Sequence, residues 1–352
     1  MKEFKLAIVI MRGQPFTLAH DDVKKKAFEV ADKVIFFLGS RNKPRTIENP
    51  FTYGERFAML TSNLDNHGIY DSRIYPLDDF IYDDEKWKKQ IDDVVFRQCQ
   101  NFGVKNASEI CIVGGAKDEW YMKLFPEYKK IPMSPRLICY DGVALVPLNA
   151  TDVRDAFFNK SYSASKDDLK HMLPQPTIDY LNEWRNGKWF SYIAEEFATI
   201  KSNRKRFGLG PSLTCDNVIT QNGCVLLVKR KNHPGKGLWA VPGGFLDLGE
   251  TLEEGAFREL QEEASATITL DEFRRKYRVC SNIYDNPRRS IASRIVTSAY
   301  FISLPSDFEL KTTAGDDAAQ TKMFRLSEVK GMAHMMYDDH WAIIEDLTNF
   351  EE

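Results

Sequence analysis

Three carboxylates, Glu259, Glu262 and Glu263, stand three and four residues apart, so a helix would gather them on one face. Clustered carboxylates repel one another unless a cation sits between them, and an all-oxygen ligand set selects a hard ion such as Mg2+ or Mn2+. Arg258 is placed to pair with Glu262 or to reach back to Glu250 and hold the acids in register. Any acidic run can simply be a solvated helix face. Here the glycine-bearing loop at Gly244, the arginine and the acid spacing all agree on metal. A second group opens the chain, where Thr17 and His20 bring a hydroxyl and an imidazole to the start of a helical segment. Thr151 and Arg154 repeat that arrangement later with a guanidinium. Free amides and the dipole at a helix N-terminus attract anions, and arginine adds two-pronged contacts, so both segments suit phosphate.

These groups need frames to hold them, and 352 residues are comfortable for two cores. Lys5 to Met11 reads as a buried parallel strand, followed by the loop Arg12-Gly13-Gln14-Pro15-Phe16 and a helix from about Leu18 to Ala31. A second strand, Lys33 to Leu38, ends at Gly39-Ser40. This βαβ unit implies a parallel sheet with ligand at the carboxyl ends of its strands. Further strands are expected at Glu109 to Val113, ahead of Gly114-Gly115, and at Leu137 to Tyr140. No GxGxxG opens the first helix, which disfavours a nicotinamide-dependent dehydrogenase. Pro174-Gln175-Pro176 ends the helical run of the first half. Trp184 to Arg206 carries aromatics among charges without a Pro/Gly/Ser-rich stretch, and reads as a helical connector. Leu213 to Thr220 and Cys224 to Lys229 flank Gln221-Asn222-Gly223 as a hairpin. The expected division is 1–184, a connector over 185–206, and 207–352.

Composition narrows the setting. Net charge is −3, with 48 basic and 51 acidic residues mixed along the chain, which argues against nucleic acid as a partner. The six cysteines form no CxxC pair, so neither a zinc ribbon nor a redox dithiol is expected, and a reduced cytoplasmic setting fits. KLAIVIM at the start is too short for a signal sequence or a membrane span. The expectation is a soluble cytoplasmic chain with no membrane partner; self-association into a homo-oligomer is left open.

The stretch from Gly244 to Ala266 resembles the Nudix box, G-x5-E-x7-R-E-U-x-E-E-x-G-U with U aliphatic. Gly244, Glu250, Arg258, Glu259, Leu260, Glu262 and Glu263 fall on its positions, and Ser265 replaces its late glycine. The resemblance implies hydrolysis of a nucleoside diphosphate linked to another moiety. Glu259, Glu262 and Glu263 would bind metal, and one of them would help to activate water whose pKa the metal lowers. Downstream, Tyr284 to Arg289 with Ser293-Arg294 is similar to the NPxRDPRG-type segment of ADP-ribose pyrophosphatases, which implies Arg289 or Arg294 at the diphosphate. Gly315-Asp316-Asp317-Ala318 resembles their GDDA loop. A loop of exposed arginines and an acidic turn are the plainer readings of these two segments. Asp339-His340 resembles an FDH-like element of the family, although the histidine reads as a lone surface residue.

The first half resembles the nucleotidylyltransferase superfamily, and within it the archaeal-type nicotinamide mononucleotide (NMN) adenylyltransferases. Met11 to His20 stands against G-R-F-Q-P-F-H-x-G-H, Glu48 to Arg56 against ENPFTxxER, and Asn149 to Arg154 against S-x-T-x-x-R. The match runs to about Leu181. Met11, Gly13, Ala19 and Asn149 depart from the pattern, while Arg12, Gln14, Pro15, His20, Thr151 and Arg154 keep it. The implied reaction is in-line attack of the NMN phosphate on the α-phosphorus of ATP, catalysed by positioning and charge neutralisation. By resemblance His20, Arg12 and Arg154 would face the triphosphate, with Gln14, Thr17 and Thr151 also at the substrate. Lys117 and Asp118 are weaker candidates, and Trp87 either stacks on nicotinamide or is an ordinary helix aromatic.

The expectation is an α/β chain with an N-terminal Rossmann-like nucleotidylyltransferase domain and a C-terminal α+β Nudix domain. Such a fusion would make NAD and pyrophosphate from ATP and NMN, and cleave ADP-ribose to AMP and ribose 5-phosphate, both with divalent metal. The alternatives are a Nudix half that senses ADP-ribose without cleaving it, and a first half that prefers nicotinate mononucleotide.

Overall fold

A computed structural model describes residues 2–115, 119–139, 145–159, 169–264, 268–310 and 318–351. Contacts divide the chain into two compact units, Met1–Ala194 and Glu195–Glu352. In the first unit β1 (Phe4–Met11), β2 (Ala31–Leu38), β3 (Ser72–Pro76), β4 (Ile110–Gly115) and β5 (Lys129–Met133) form a parallel sheet in the order β3-β2-β1-β4-β5. The strand order reverses at β1, so the crevice at its carboxyl end is where a doubly wound sheet takes its ligand. β1 is apolar from Leu6 onward because it is covered on both faces. Leu6, Ile8, Ile35 and Phe37 share a core with Trp87, Ile91 and Val95. Each such burial contributes roughly 1.5–3 kcal/mol.

The longer helices described in this unit include α1 (Leu18–Val30), α2 (Tyr53–Ser62), α3 (Asp84–Phe102), α4 (Ala150–Phe158) and α5 (Gln175–Trp184). Local chemistry fixes their ends. In α2 the Thr52 hydroxyl accepts from the Glu55 amide while Glu55 reaches back to the Thr52 amide. In α3 Asp83 caps the Lys86 amide, and Gly103 stops the helix at a left-handed φ of 65°.

The strand expected at Leu137 is present but outside the parallel sheet, and the sheet has a further strand that the sequence reading did not include. Leu137–Cys139 (β6) pairs antiparallel with Leu145–Pro147 (β7) as a separate ribbon, outside the parallel sheet; Tyr140 lies outside the described residues. The fifth parallel strand is β5, whose KKIPM sequence hides it. As an edge strand it pairs only with β4, so it tolerates both its lysines and Pro132.

Helix α6 (Lys188–Phe207) crosses the division between the units. Within the first unit its Phe190 packs 5.3 Å from Phe157 and 5.7 Å from Phe158. Within the second, the Gly235 amide donates to its Glu196 at 3.0 Å, and its Arg204 donates to the Ile291 and Ala292 carbonyls.

The second unit holds a mixed seven-stranded sheet of β8 (Ser212–Gln221), β9 (Cys224–Arg230), β10 (Trp239–Ala240), β11 (Gly243–Phe245), β12 (Arg278–Tyr284), β13 (Ile295–Ser303) and β14 (Ala318–Arg325). β8 and β13 run parallel, and the other pairs antiparallel. Asn222 and Gly223 join β8 to β9 at φ of 49° and 70°, the left-handed pair that matches strand twist. Alternation sorts the two faces. Ile219 and Leu226 meet Ala256 and Leu260 of α7 (Leu252–Ala264), whereas Val218, Val225 and Leu227 meet Ile343 and Ile344 of α8 (His340–Thr348). Among the described residues, no helix is long and apolar enough to cross a membrane.

Candidate functional site

At the carboxyl end of β1 the chain turns through Gly13, whose φ of 61° favours glycine where the motif has phenylalanine. Gln14 then folds back on the Phe51 backbone, its amide nitrogen donating to the carbonyl at 2.8 Å and its oxygen accepting from the amide at 3.0 Å. Gln14 is thereby a clip between two loops. Arg154, also buried, donates to the Gln14 carbonyl at 2.8 Å and to the Thr151 hydroxyl at 3.1 Å. Burial, and then the charge of Arg12, lower the Arg154 pKa to about 10. Arg12 is exposed, with Glu48 3.9 Å away.

His20 takes the third position of α1, where its Nδ1 accepts from the Thr17 amide at 3.0 Å and lies 2.8 Å from the Thr17 hydroxyl. A ring nitrogen that accepts an amide proton is unprotonated, so the neutral ring carries its proton on Nε2. Burial and the Arg12 charge push the His20 pKa down to about 4. Near neutral pH, His20 is therefore an uncharged donor within the field of Arg12.

Arg56, 1% exposed, was read in the sequence only as the end of a motif. Its guanidinium donates to the carbonyls of Arg12 (2.6 Å), Gly39 (2.5 Å) and Ser40 (3.4 Å), tying together the loops after β1 and β2. Ser40 sits at φ 56°, and its amide and hydroxyl both donate to Asp79 beyond β3. The signal that could have found Arg56 is a lone arginine on the inner face of α2. Its acceptors are spread too far along the chain to be read locally. Trp87 packs in the core, 7% exposed, with ring centroids 5.3 Å from Trp120 and 6.0 Å from Tyr121. Lys117 and Asp118 lie outside the described residues.

The second site is built around Arg258 on α7. Its guanidinium donates to Glu250 at 2.8 and 3.1 Å, to Glu259 at 2.7 Å, to Glu262 at 3.4 Å and to the Phe245 carbonyl at 3.0 Å. One cation thus organises three of the motif's acids and the glycine-bearing loop. Burial raises the pKa of Glu259 against the pull of Arg258, and that carboxylate is 8% exposed. Glu250 is held below the ordinary carboxylate range, chiefly by its bonds to Arg258. Glu263 continues the helix, its side chain outside the described set, and Ser265 is also outside it.

Two glycines allow close approach. A Cβ on Gly243 would lie 2.2 Å from the Cys215 carbonyl and 2.5 Å from Asp216 Oδ1; one on Gly244 would lie 2.3 Å from Glu259 Oε1. Among the described side chains, no cluster of three metal-ligating groups is gathered. The all-carboxylate donors, the cradle at Gly244 and the reluctance of Glu259 to ionise nevertheless fit a hard divalent cation, which would relieve that reluctance.

Arg289 is placed differently from its sequence reading. It is 5% exposed and donates to both oxygens of Asp339 at 3.0 and 2.8 Å, with Asp216 3.9 Å away. Arg294 donates to the Asp285 carbonyl at 2.5 Å. His340 is not a surface residue. It is 7% exposed, and its Nδ1 accepts from the Val241 amide at 3.0 Å, because the start of α8 packs beneath the strand leading to Gly243. Of the GDDA-like loop, residues 315–317 lie outside the described set.

Two family models match this chain, a NUDIX domain over residues 213–347 and a cytidylyltransferase-like domain over residues 14–133. An ADP-ribose pyrophosphatase of Methanocaldococcus jannaschii is 34% identical over 146 residues, covering 42% of this chain and 78% of that protein. A nicotinamide/nicotinic acid mononucleotide adenylyltransferase of Acinetobacter baylyi is 26% identical over 199 residues, 56% of this chain and 95% of its own length. The crystal structure of a bifunctional NMN adenylyltransferase/ADP ribose pyrophosphatase from Francisella tularensis, complexed with AMP and a Mn ion, is 27% identical. It superposes with a TM-score of 0.83 over 98% of this chain and 99% of that one.

Proposed function

This chain belongs to the Nudix family, and we propose that it is a bifunctional enzyme of NAD metabolism. The first half transfers the adenylyl group of ATP to NMN, giving NAD and pyrophosphate. The second hydrolyses ADP-ribose to AMP and ribose 5-phosphate with a divalent metal. The observation that carries this reading is likeness along the whole chain to a solved enzyme with both activities. Residues 1–184 form the transferase and 207–352 the hydrolase, with 185–206 as connector.

Each group takes a role in this reading. His20 offers its Nε2 proton to the triphosphate, with Thr17 holding the ring at Nδ1, while Arg12 and Arg154 neutralise charge developing on the phosphates and Thr151 donates a further hydrogen bond. In the second half Glu259, Glu262 and Glu263 hold Mg2+ or Mn2+, which when bound lowers the pKa of water and offsets charge on the diphosphate. Arg258 and Glu250 fix the direction of those acids. ATP, NMN, NAD and ADP-ribose are the small-molecule partners, in the cytoplasm.

Pyrophosphate release from ATP and Mg2+ with NMN or nicotinate mononucleotide as acceptor, with AMP release from ADP-ribose measured in parallel, tests both halves. NAD and AMP are the expected products. No transfer to either mononucleotide would overturn the first assignment. Tight ADP-ribose binding without AMP release would turn the second half into a sensor.

A further inference from the structure

A series of buried polar contacts backs the loop that carries Gly243 and Gly244. The Val241 amide donates to His340 Nδ1 at 3.0 Å, and the Pro242 carbonyl accepts from the Asn217 amide at 2.7 Å. Asp339, the neighbour of His340, binds Arg289 through both oxygens. Arg289 in turn lies 3.9 Å from Asp216, which also accepts from the Thr297 hydroxyl at 2.7 Å. Asp216 is the cross-strand partner of Gly243, and its Oδ1 lies 2.5 Å from where a Gly243 Cβ would be. Val241 is thus tied directly to the Asp339-His340 turn at the start of α8, and Gly243 is packed on Asp216, which reaches that turn through Arg289.

We infer that His340, with the Arg289–Asp339 pair behind it, is a positioning residue of the hydrolytic site. By fixing the Val241 amide it sets the height of Gly244 against Glu259, and so the direction in which that carboxylate meets metal. The inference rests on the hydrolase reading and extends it to residues that never touch the substrate. A buried amide cannot be left unpaired without cost, so removing the acceptor must shift the strand or admit water. The loop has little room for either, with Cβ-excluding contacts at two successive glycines. A shift of an ångström at a catalytic group suffices for a large loss of rate.

The test compares His340→Phe, which keeps the ring and removes the acceptor, with His340→Asn, which restores an acceptor near Nδ1. Turnover and KM for ADP-ribose are measured with the full chain, and Mn2+ affinity separately by calorimetry without substrate. His340→Phe should lower kcat by roughly ten-fold or more and weaken Mn2+ binding, with KM within about two-fold, and His340→Asn should recover most of both. Unchanged turnover and Mn2+ affinity in His340→Phe would overturn the inference. So would losses in both variants that follow only the folded fraction seen in thermal melts. If the unaltered chain binds Mn2+ but leaves ADP-ribose intact, the hydrolase reading fails, while the Mn2+ comparison still decides the role of His340. If it binds no Mn2+, both fall.

Discussion

The carboxylate of Glu259 occupies the space that a side chain on Gly244 would need, with 2.3 Å between Oε1 and that absent Cβ. Gly243 is crowded by something stiffer, the Cys215 carbonyl at 2.2 Å. The two glycines should therefore fail differently. In Gly244→Ala the end of a side chain can move, so the fold should survive while AMP release drops about a hundred-fold. In Gly243→Ala the backbone must move, which should destabilise the second unit by about 1–3 kcal/mol as well. Thermal melts and ADP-ribose kinetics on the pair check the difference. Equal loss of stability in both would contradict it.

Glu263→Gln keeps shape and removes charge at the helix position that the Nudix resemblance gives to metal and water. AMP release should fall by about a hundred-fold or more, while adenylyl transfer by the same chain persists. Unchanged hydrolysis would remove Glu263 from the metal site.

His20 predicts a pH signature. Its folded value of about 4 lies below the ordinary 6.5, through burial and then Arg12. As pH falls the unfolded chain takes the proton first, so this group's stability is complete above 6.5 and is lost progressively towards 4. Adenylyl transfer should show no acid limb from His20 between roughly pH 6 and 8. His20→Ala should lower kcat about a hundred-fold. A limb near 6.5 that disappears in His20→Ala would show that the ring is protonated where it is expected to be neutral.

Arg56 has four backbone carbonyls as acceptors, three of them in other loops and the fourth that of Thr52, and is almost wholly buried. Arg56→Met takes the guanidinium from the three loop carbonyls and should destabilise the first unit by about 3 kcal/mol, with loss of adenylyl transfer. Arg56→Lys keeps the charge but cannot span three acceptors, and should recover little. Urea unfolding followed in the first unit, together with transfer kinetics, measures both.

What the sequence displays is local. The register of Glu259, Glu262 and Arg258 is visible because helix period alone brings them together, and the opening βαβ unit is visible because β1 from Leu6 and β2 from Val34 are continuous apolar runs. Arg56 and His340 are hidden for the opposite reason. Three acceptors of Arg56 lie at residues 12, 39 and 40, and the donor to His340 at residue 241, so only the assembled sheet reveals either partnership. Arg289 looked like a free arginine beside a diphosphate motif, because nothing near it in sequence announces Asp339. β5 was missed because an edge strand need not be apolar.

Helix α6 gives its first turns to one core and its later turns to another, with Phe190 packed on Phe157 and Glu196 bonded to Gly235. A genetic breakpoint before Phe190 would strip one daughter protein of its aromatic anchor, and one after Glu196 would strip the other of its buried acid. A cut that leaves each half its own partner has only the few codons between them, and even there it breaks a continuous helix in two.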